Sequence, residues 1–480
     1  MSGELWQKIS TDVLINTFFK LSLKVRGLVF IPLFTIGLSV ADYGAQVQAL
    51  GILIIAANIS GLGLDMGLVS YIQEFDRDEA VIVSTVLAIC LPVSIGTGLV
   101  IAAISPLLSE YTLQTGRYTL LFVTVAVYLP FEMLFRIGRA WFQAHQRLQV
   151  HGGLEALDVW LSVGSAVIAI FVLDVTIIGA FLAIILARCL SSFIAIVPVF
   201  STVGFAKPRF SDAKAYLSFS VPAMGSGLAK HALDKTDRLL IGFFLGASAV
   251  GTYSVAYSVA YVLLILSAPL SASFYGEFTS LWEKGDRETI RRYTESGVRY
   301  LTTLSMPAIV GLYFVGEDIL SLLSTPVVAT AAVLPLTLIS GSMYFRGVIE
   351  LYQYLFYAAS DSRTPLAVQL AMVGINVILN LAVIPYWGIV GAAATTVVSF
   401  SFGAILIHRQ FSETLSITLP IKKIGRVLIA TVCMAAVLFF ISINWLAIII
   451  VGIIVYFIML IAIGGISRRE IQMVGNGLIG

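Results

Sequence analysis

Charged side chains inside long apolar stretches are the residues of this sequence whose chemistry most needs an explanation. The stretch near residues 216–244 holds six ionisable groups, namely Lys230, His231, Asp234, Lys235, Asp237 and Arg238. At about 100° per residue in a helix, these six occupy less than half of the circumference and leave the other face apolar. Such a stripe has to face a water-filled cavity or a partner stripe, because lipid would exclude it.

The first apolar stretch carries a second group of cations, Lys20, Lys24 and Arg26, with no acidic residue within one helical turn. Their counter-charges therefore have to come from another helix, from lipid headgroups or from a ligand. A cavity lined by lysine and arginine favours an anion, and the planar guanidinium group matches phosphate oxygens best.

Other charges in the apolar stretches have simpler explanations. Arg346 and Glu350 are four residues apart, as are Asp234 and Arg238, so each pair can neutralise itself on a helix. For both pairs a structural role stays open beside a functional one. We expect Arg188 to extend towards the membrane interface. Salt bridges near the cytoplasmic ends of spans are expected for four acidic residues: Asp65, Glu132, Glu155 and Asp158.

Membrane-spanning helices are the elements that must position these charges. Of the 480 residues, 59% are hydrophobic and 12% are charged, and the mean hydropathy is +0.97. A chain this apolar cannot cover itself with a polar surface, so we predict an integral membrane protein. Runs of about 20 apolar residues predict fourteen spans, near 13–38, 45–71, 81–108, 118–142, 152–173, 176–200, 216–244, 250–274, 297–323, 328–357, 365–385, 388–408, 424–442 and 445–466.

The even number of spans places both termini on the same side of the membrane. Nearly all basic residues between the spans fall on that side, with Arg117 as the exception. The positive-inside rule therefore predicts cytoplasmic termini. Since the loops on both sides are short, the helices themselves have to perform the function, which favours a transporter.

Several function classes are excluded by the same sequence. A net charge of +2, with scattered basic residues, argues against a nucleic-acid-binding protein. Cys90, Cys189 and Cys433 lie singly in apolar runs and are typical of packing residues. No histidine spacing indicates a zinc site, and no GxxxxGK[ST] motif indicates a P-loop ATPase. The first apolar run lacks the features of a cleaved signal peptide.

An internal repeat is indicated by two similar stretches. Lys24 and Arg26 precede an apolar run and then Tyr43, and Lys235 and Arg238 precede another such run and then Tyr253. Transporters are often built from duplicated halves. We therefore predict one six-helix bundle over 1–205, a second over 206–410 and two additional transmembrane helices over 411–480.

Three segments of the chain resemble a known family. Asp237-Arg238-LLIGFFLGASAV-Gly251-Thr-Tyr253, Asp65-Met-Gly-Leu and Gly388-Ile-Val-Gly-Ala-Ala are similar to motifs of the polysaccharide transporter branch of the multidrug/oligosaccharidyl-lipid/polysaccharide (MOP) flippase superfamily. The resemblance extends over essentially the whole chain. It implies an all-α membrane protein of about fourteen transmembrane helices, with two pseudo-symmetric six-helix bundles in a V shape and two C-terminal helices.

The same resemblance implies a function. The protein would be a non-enzymatic flippase of the cell membrane that moves a polyprenyl-(pyro)phosphate-linked oligosaccharide from the cytoplasmic to the outer leaflet. Its partners would be that substrate, membrane lipids and other polysaccharide-assembly proteins. The implied substrate contacts are Lys24, Arg26, Lys230, Lys235 and Arg238, followed by Lys20 and Arg346. No cofactor is implied, and a sodium or proton gradient would drive transport, with Asp234, Asp237 and Glu350 as candidate ion carriers.

Two other classes remain as alternatives. A drug/cation antiporter of the multidrug and toxin extrusion branch typically has twelve spans and a cavity dominated by acidic residues. This chain has fourteen predicted spans and locally unpaired cations in the first of them. A membrane O-antigen polymerase or ligase would need a large external loop for its catalytic groups, and the external loops predicted here are too short.

Overall fold

The computed structural model of the chain describes residues 26–74, 78–267, 277–415, 420–441 and 443–465. Within these ranges the chain forms helices joined by short connections, and none of the described residues forms a β-strand. The prediction of an all-α membrane protein is therefore confirmed. The count of fourteen spans, the arrangement of the bundles and the three-part division of the chain stay predictions.

The helices form two compact units, Met1–Ser254 and Val255–Gly480. The first unit holds α1 (Arg26–Thr35), α2 (Val40–Gly61), α3 (Leu64–Glu74), α4 (Glu79–Leu113), α5 (Thr119–Ala144), α6 (Leu148–Val167), α7 (Ile177–Val203), α8 (Ala213–Leu245) and the start of α9 (Ala247–Tyr261). The second unit holds the end of α9, α10 (277–283), α11 (Arg287–Leu323), α12 (Pro326–Ala358), α13 (Arg363–Leu415), α14 (Ile421–Phe439) and α15 (Trp445–Ala462).

Ten stretches among the described residues are long and apolar enough to cross a membrane. Eleven of the fourteen predicted spans overlap these stretches, because continuous hydropathy is a strong signal in lipid. The predicted spans 216–244 and 424–442 lie in α8 and α14, which are not among the ten. The predicted spans 365–385 and 388–408 lie in α13, where Gly388 adopts a φ of 58° and a ψ of −142° and kinks the helix. The first half of the predicted span 13–38 lies outside the described residues.

Local sequence signals set several helix boundaries. The Ser39 hydroxyl accepts a hydrogen bond from the backbone N–H of Asp42 and caps α2, and Asp78 caps α4 in the same way through the N–H of Ala80. The second predicted span is broken between α2 and α3, because Leu62 and Gly63 have φ values of 49° and 71°. A left-handed pair of this kind cannot continue a right-handed helix.

Two glycines allow α2 and α9 to approach backbone to backbone at their N-terminal ends. A Cβ atom at Gly44 would overlap the carbonyl oxygen of Ala247, and one at Gly251 would overlap the carbonyl oxygen of Val40. The contact is reciprocal, because Gly44 lies four residues after Val40 and Gly251 lies four residues after Ala247. The structure thus pairs Gly44 with Gly251. The alignment of Tyr43 with Tyr253 in the predicted repeat would instead pair Gly44 with Ser254, three residues further along the chain.

In the second unit, α14 and α15 pack against α11. Their shared core contains Ala430, Met434 and Leu438 of α14 and Tyr456 and Leu460 of α15. The Tyr456 hydroxyl donates a 2.7 Å hydrogen bond to the backbone carbonyl of Thr303 in α11. A buried tyrosine generally needs such a partner for its hydroxyl, so this bond fixes the height of α15 along α11.

Candidate functional site

A cavity of about 320 Å³ lies inside the first unit, between α1, α2, α5, α7 and α8. Its wall on α2 is mostly apolar, from Val47 to Ala57, with Tyr43 and Gln46 at one end. Three cations and one carboxylate also line it, namely Arg26, Arg188, Lys235 and Glu132. The charges that line this cavity are therefore predominantly positive, as the sequence predicts for an anion site.

Two of the predicted substrate contacts, Arg26 and Lys235, line this one cavity. The Arg26 guanidinium lies 5.2 Å from the centroid of the Phe30 ring, one turn along α1. Within the described residues, no carboxylate lies in salt-bridge range of Arg26. The Lys235 chain runs beside α2, with its Cδ 4.0 Å from the position that a Cβ of Gly51 would occupy. This is an ordinary van der Waals distance, so Lys235 packs along α2 at this level.

The remaining predicted contacts are distributed differently. Arg238 is buried in α8 and is not among the residues that line the cavity. Lys20 and Lys24 lie outside the described residues. Lys230 belongs to α8, but its side chain is outside the described part of the structure. None of these positions is tested by the structure, so their roles stay predictions.

Asp237 is buried in α8 and accepts a 3.0 Å hydrogen bond from the hydroxyl of Tyr253 in α9. Both residues belong to the segment that carries the family resemblance. The bond ties the end of α8 to the start of α9 across the turn at Gly246. Asp234 lies in the same helix and is partly buried. The role of either carboxylate in ion coupling stays a prediction.

Arg346 and Glu350 lie in the second unit and form the ion pair that their spacing indicates, with 3.6 Å between Arg346 Nε and Glu350 Oε1. The Arg346 guanidinium lies 5.4 Å from the Tyr261 ring centroid, and the Ser267 hydroxyl donates to Glu350. These contacts fit the structural interpretation of the pair. They leave a role in substrate or ion binding as a prediction.

Arg188 was expected at the membrane interface, and this expectation is wrong. The residue lies eleven positions into α7, about 16 Å from the start of that helix, and only 8% of it is exposed. Its Nε donates to the Tyr128 hydroxyl at 2.6 Å, and its Nη2 lies 2.9 Å from Asp158 Oδ2. Arg188 is too deep to reach the interface and is paired inside the unit instead.

Arg188 belongs to a chain of ion pairs that joins four helices. Arg136 Nε lies 2.9 Å from Glu132 Oε1, and its Nη1 lies 3.4 Å from Asp65 Oδ2 in α3. The second Glu132 oxygen lies 3.5 Å from Arg188 Nε. The salt bridges expected for Asp65, Glu132, Glu155 and Asp158 are therefore present, although Asp158 is only 3% exposed and so is not at a hydrated surface.

The Arg188 cluster (Tyr128, Glu132, Asp158 and Arg188) could not be assembled from local spacing. Its members lie on α5, α6 and α7, and only Tyr128 and Glu132 are one turn apart. The sequence feature that could have identified Arg188 is its position near the middle of a span. A charge there cannot reach the membrane interface and has to find partners in the protein.

Solved membrane transporters share this fold. The structure named "Lipid II flippase MurJ, inward closed conformation" matches with a TM-score of 0.79 at 14% identity, over 94% of this chain and 97% of that one. An inward-facing multidrug resistance MATE family transporter of the MOP superfamily matches with a TM-score of 0.67 at 14% identity, over 84% of this chain and 94% of that one. The chain therefore shares the fold of these multi-pass membrane transporters.

Sequence comparison then gives the family. The model described as "Polysaccharide biosynthesis protein" matches residues 38–326, more than half of the chain, so the chain belongs to this family. The protein named "Probable flippase AglR" of Haloferax volcanii is 29% identical over 242 residues, which are 49% of this chain and 50% of AglR. The chain spans about half the length of the curated relatives it matches. The resemblance derived from the motifs is confirmed.

Proposed function

We propose that the protein is a flippase that moves a polyprenyl-(pyro)phosphate-linked oligosaccharide from the cytoplasmic to the outer leaflet for polysaccharide or glycan biosynthesis. The observation that carries this proposal is the cavity lined by Arg26, Arg188 and Lys235, in a chain whose family is that of polysaccharide biosynthesis. Lysine and arginine recognise phosphate oxygens. The name of AglR and the MurJ-like fold support the same activity.

The proposal makes the protein a transporter rather than an enzyme. Its chain would lie in the cytoplasmic membrane with both termini in the cytoplasm, and its substrate would reach it from other polysaccharide-assembly proteins. A sodium or proton gradient would drive the cycle, with Asp234, Asp237 or Glu350 as the ion carrier. Lys24, Lys230 and Arg238 would add to the positive charge that the substrate meets, and Lys20 and Arg346 would contribute less.

Flipping of a fluorescent polyprenyl-pyrophosphate oligosaccharide in proteoliposomes tests the proposal. Arg26→Gln and Lys235→Gln each remove a cation from the cavity, so we expect the initial rate to fall at least about tenfold, as for the loss of a charged hydrogen bond. Lys284→Gln is a matched control on the exposed segment before α11 and should leave the rate unchanged. Equal rates in all four proteins would contradict the assignment of the cavity as the anion site.

A further inference from the structure

Arg188 is held in one orientation by contacts on both its edge and its face. The Tyr128 hydroxyl accepts from Nε at 2.6 Å, and Asp158 accepts from Nη2 at 2.9 Å. The guanidinium also lies 4.3 Å from the ring centroid of Phe135 and 5.4 Å from that of Tyr128. A guanidinium stacked on an aromatic ring and bonded at two nitrogens has lost its freedom to rotate, so a ligand would not have to order it.

The third nitrogen of Arg188 has no hydrogen-bond partner among the described residues. This atom, Nη1, carries two N–H donors and is buried. A buried donor without an acceptor is unfavourable, so an acceptor that reached Nη1 would be bound favourably. Arg188 lines the same cavity as Arg26 and Lys235.

Two of the three Arg188 nitrogens are enough to connect α7 to α5 and α6. The third remains available for an acceptor that enters from the cavity. Because Glu132 and Asp158 already balance much of its charge, the contribution of Arg188 to an anion would be directional hydrogen bonding rather than general attraction.

We propose that Arg188 contacts the substrate, with Nη1 donating to a phosphoryl oxygen of the polyprenyl pyrophosphate beside Arg26 and Lys235. Tyr128 and Asp158 are the residues that position it. Since Nη1 is covered in this structure, the contact forms as the cavity wall adjusts around the anion. The inference rests on the proposed function and adds to it a contact on α7, outside the two cationic spans of the sequence.

Arg139 provides a matched control for Arg188. It is also a largely buried arginine of the first unit, lies 2.8 Å from Glu155 and has its guanidinium 5.5 Å from the Phe135 ring centroid. It likewise has one buried nitrogen without a partner, but it does not line the cavity. Substitution of either arginine therefore removes a comparable set of structural contacts, and only Arg188 lines the cavity.

The test is calorimetric titration of the full chain in detergent with farnesyl pyrophosphate, a soluble polyprenyl pyrophosphate, alongside thermal unfolding of each variant. We expect Arg188→Gln to raise the Kd by about tenfold or more, and Arg139→Gln to leave the Kd unchanged while lowering the Tm to a similar extent. Arg188→Lys keeps the positive charge but lacks the planar guanidinium group, so we expect its Kd to lie between those of the wild type and Arg188→Gln.

Tyr128→Phe keeps the test decisive if Arg188→Gln fails to fold. It removes only the oxygen that accepts from Nε, and we expect a severalfold higher Kd because the guanidinium is less firmly oriented. Equal Kd values for the wild type, both Arg188 variants and Tyr128→Phe would overturn the inference and leave the flippase proposal standing. Farnesyl pyrophosphate that fails to bind the wild type would overturn the inference, and the proteoliposome assay would then decide the flippase proposal separately.

Discussion

Two arginines balance the negative charge of Glu132, namely Arg136 of the same helix and Arg188 of α7. A buried charge is costly unless an opposite charge lies beside it, so these ion pairs offset the cost of burying both arginines and Glu132. Tyr128, Glu132 and Arg188 of the Arg188 cluster also line the cavity, so residues that hold the helices together belong to the site. Arg26 and Lys235 enter from helices that carry no part of this cluster.

Glu132→Gln tests the stabilising role of the cluster. The substitution keeps the shape of the side chain but leaves Arg136 and Arg188 with less counter-charge, so we expect unfolding to become easier by about 3–5 kcal/mol, the cost of breaking a buried ion pair. Thermal unfolding in detergent measures the effect. The control is Glu288→Gln, because Glu288 pairs with Arg291 and Arg292 at an exposed position. Equal Tm losses in both variants would contradict a buried, cooperative cluster.

Sequence reasoning reached some residues of the site and missed others for a physical reason. Arg26 is predictable because no acidic residue lies within one helical turn of it, and Lys235 because it belongs to a stripe of charges on one face of an apolar helix. Arg188 of α7 meets Tyr128 and Glu132 of α5 through packing between helices, which no spacing along the chain records. The error at Arg188 came from treating a cation in a span as one near its end.

The helices α2 and α9 depend on glycine where they meet. Gly44 and Gly251 each face a backbone carbonyl of the other helix, so the contact leaves no room for a side chain. At the other end of α2, the backbone reverses its helical sense at Leu62 and Gly63. The hydropathy pattern predicted one continuous span here, because apolar composition does not report backbone breaks.

Gly44→Ala tests the close approach of these two helices. A methyl group would overlap the Ala247 carbonyl, so the backbones have to separate, and overpacking of this kind costs about 1–3 kcal/mol. Gly96→Ala in α4 is the control, since nothing lies within 4 Å of its Cβ position. We expect a lower Tm for the first variant and an unchanged or higher Tm for the second. Equal values would contradict the packing described.

The kink in α13 makes a separate prediction. Gly388, with a φ of 58° and a ψ of −142°, lies in a region that other residues occupy at a cost of about 1–3 kcal/mol. Gly388→Ala should lower the Tm, and Gly374→Ala in the regular part of the same helix should not, because its Cβ would meet open space. A similar response of both positions in thermal unfolding would show that the kink is not fixed by glycine.

At the scale of the whole molecule, the fold is that of transporters with different substrates. A lipid II flippase and a multidrug transporter both match it, so architecture alone does not choose between an anionic lipid and a cationic drug. The positive charges of the cavity and the family of the sequence support the anionic lipid of the proposed function. Hydropathy predicted the long apolar helices well, since a lipid environment permits few alternatives to them.

The most direct measurement of the central claim compares two lipids in wild-type proteoliposomes. One is a fluorescent oligosaccharide on a polyprenyl pyrophosphate, and the other is the same oligosaccharide on a polyprenol without phosphate. We predict rapid flipping of the first lipid and flipping of the second no faster than in protein-free vesicles, because the cavity cations have no anion to bind. Equal flipping of both lipids, or transport of cationic dyes without flipping of either, would contradict the account.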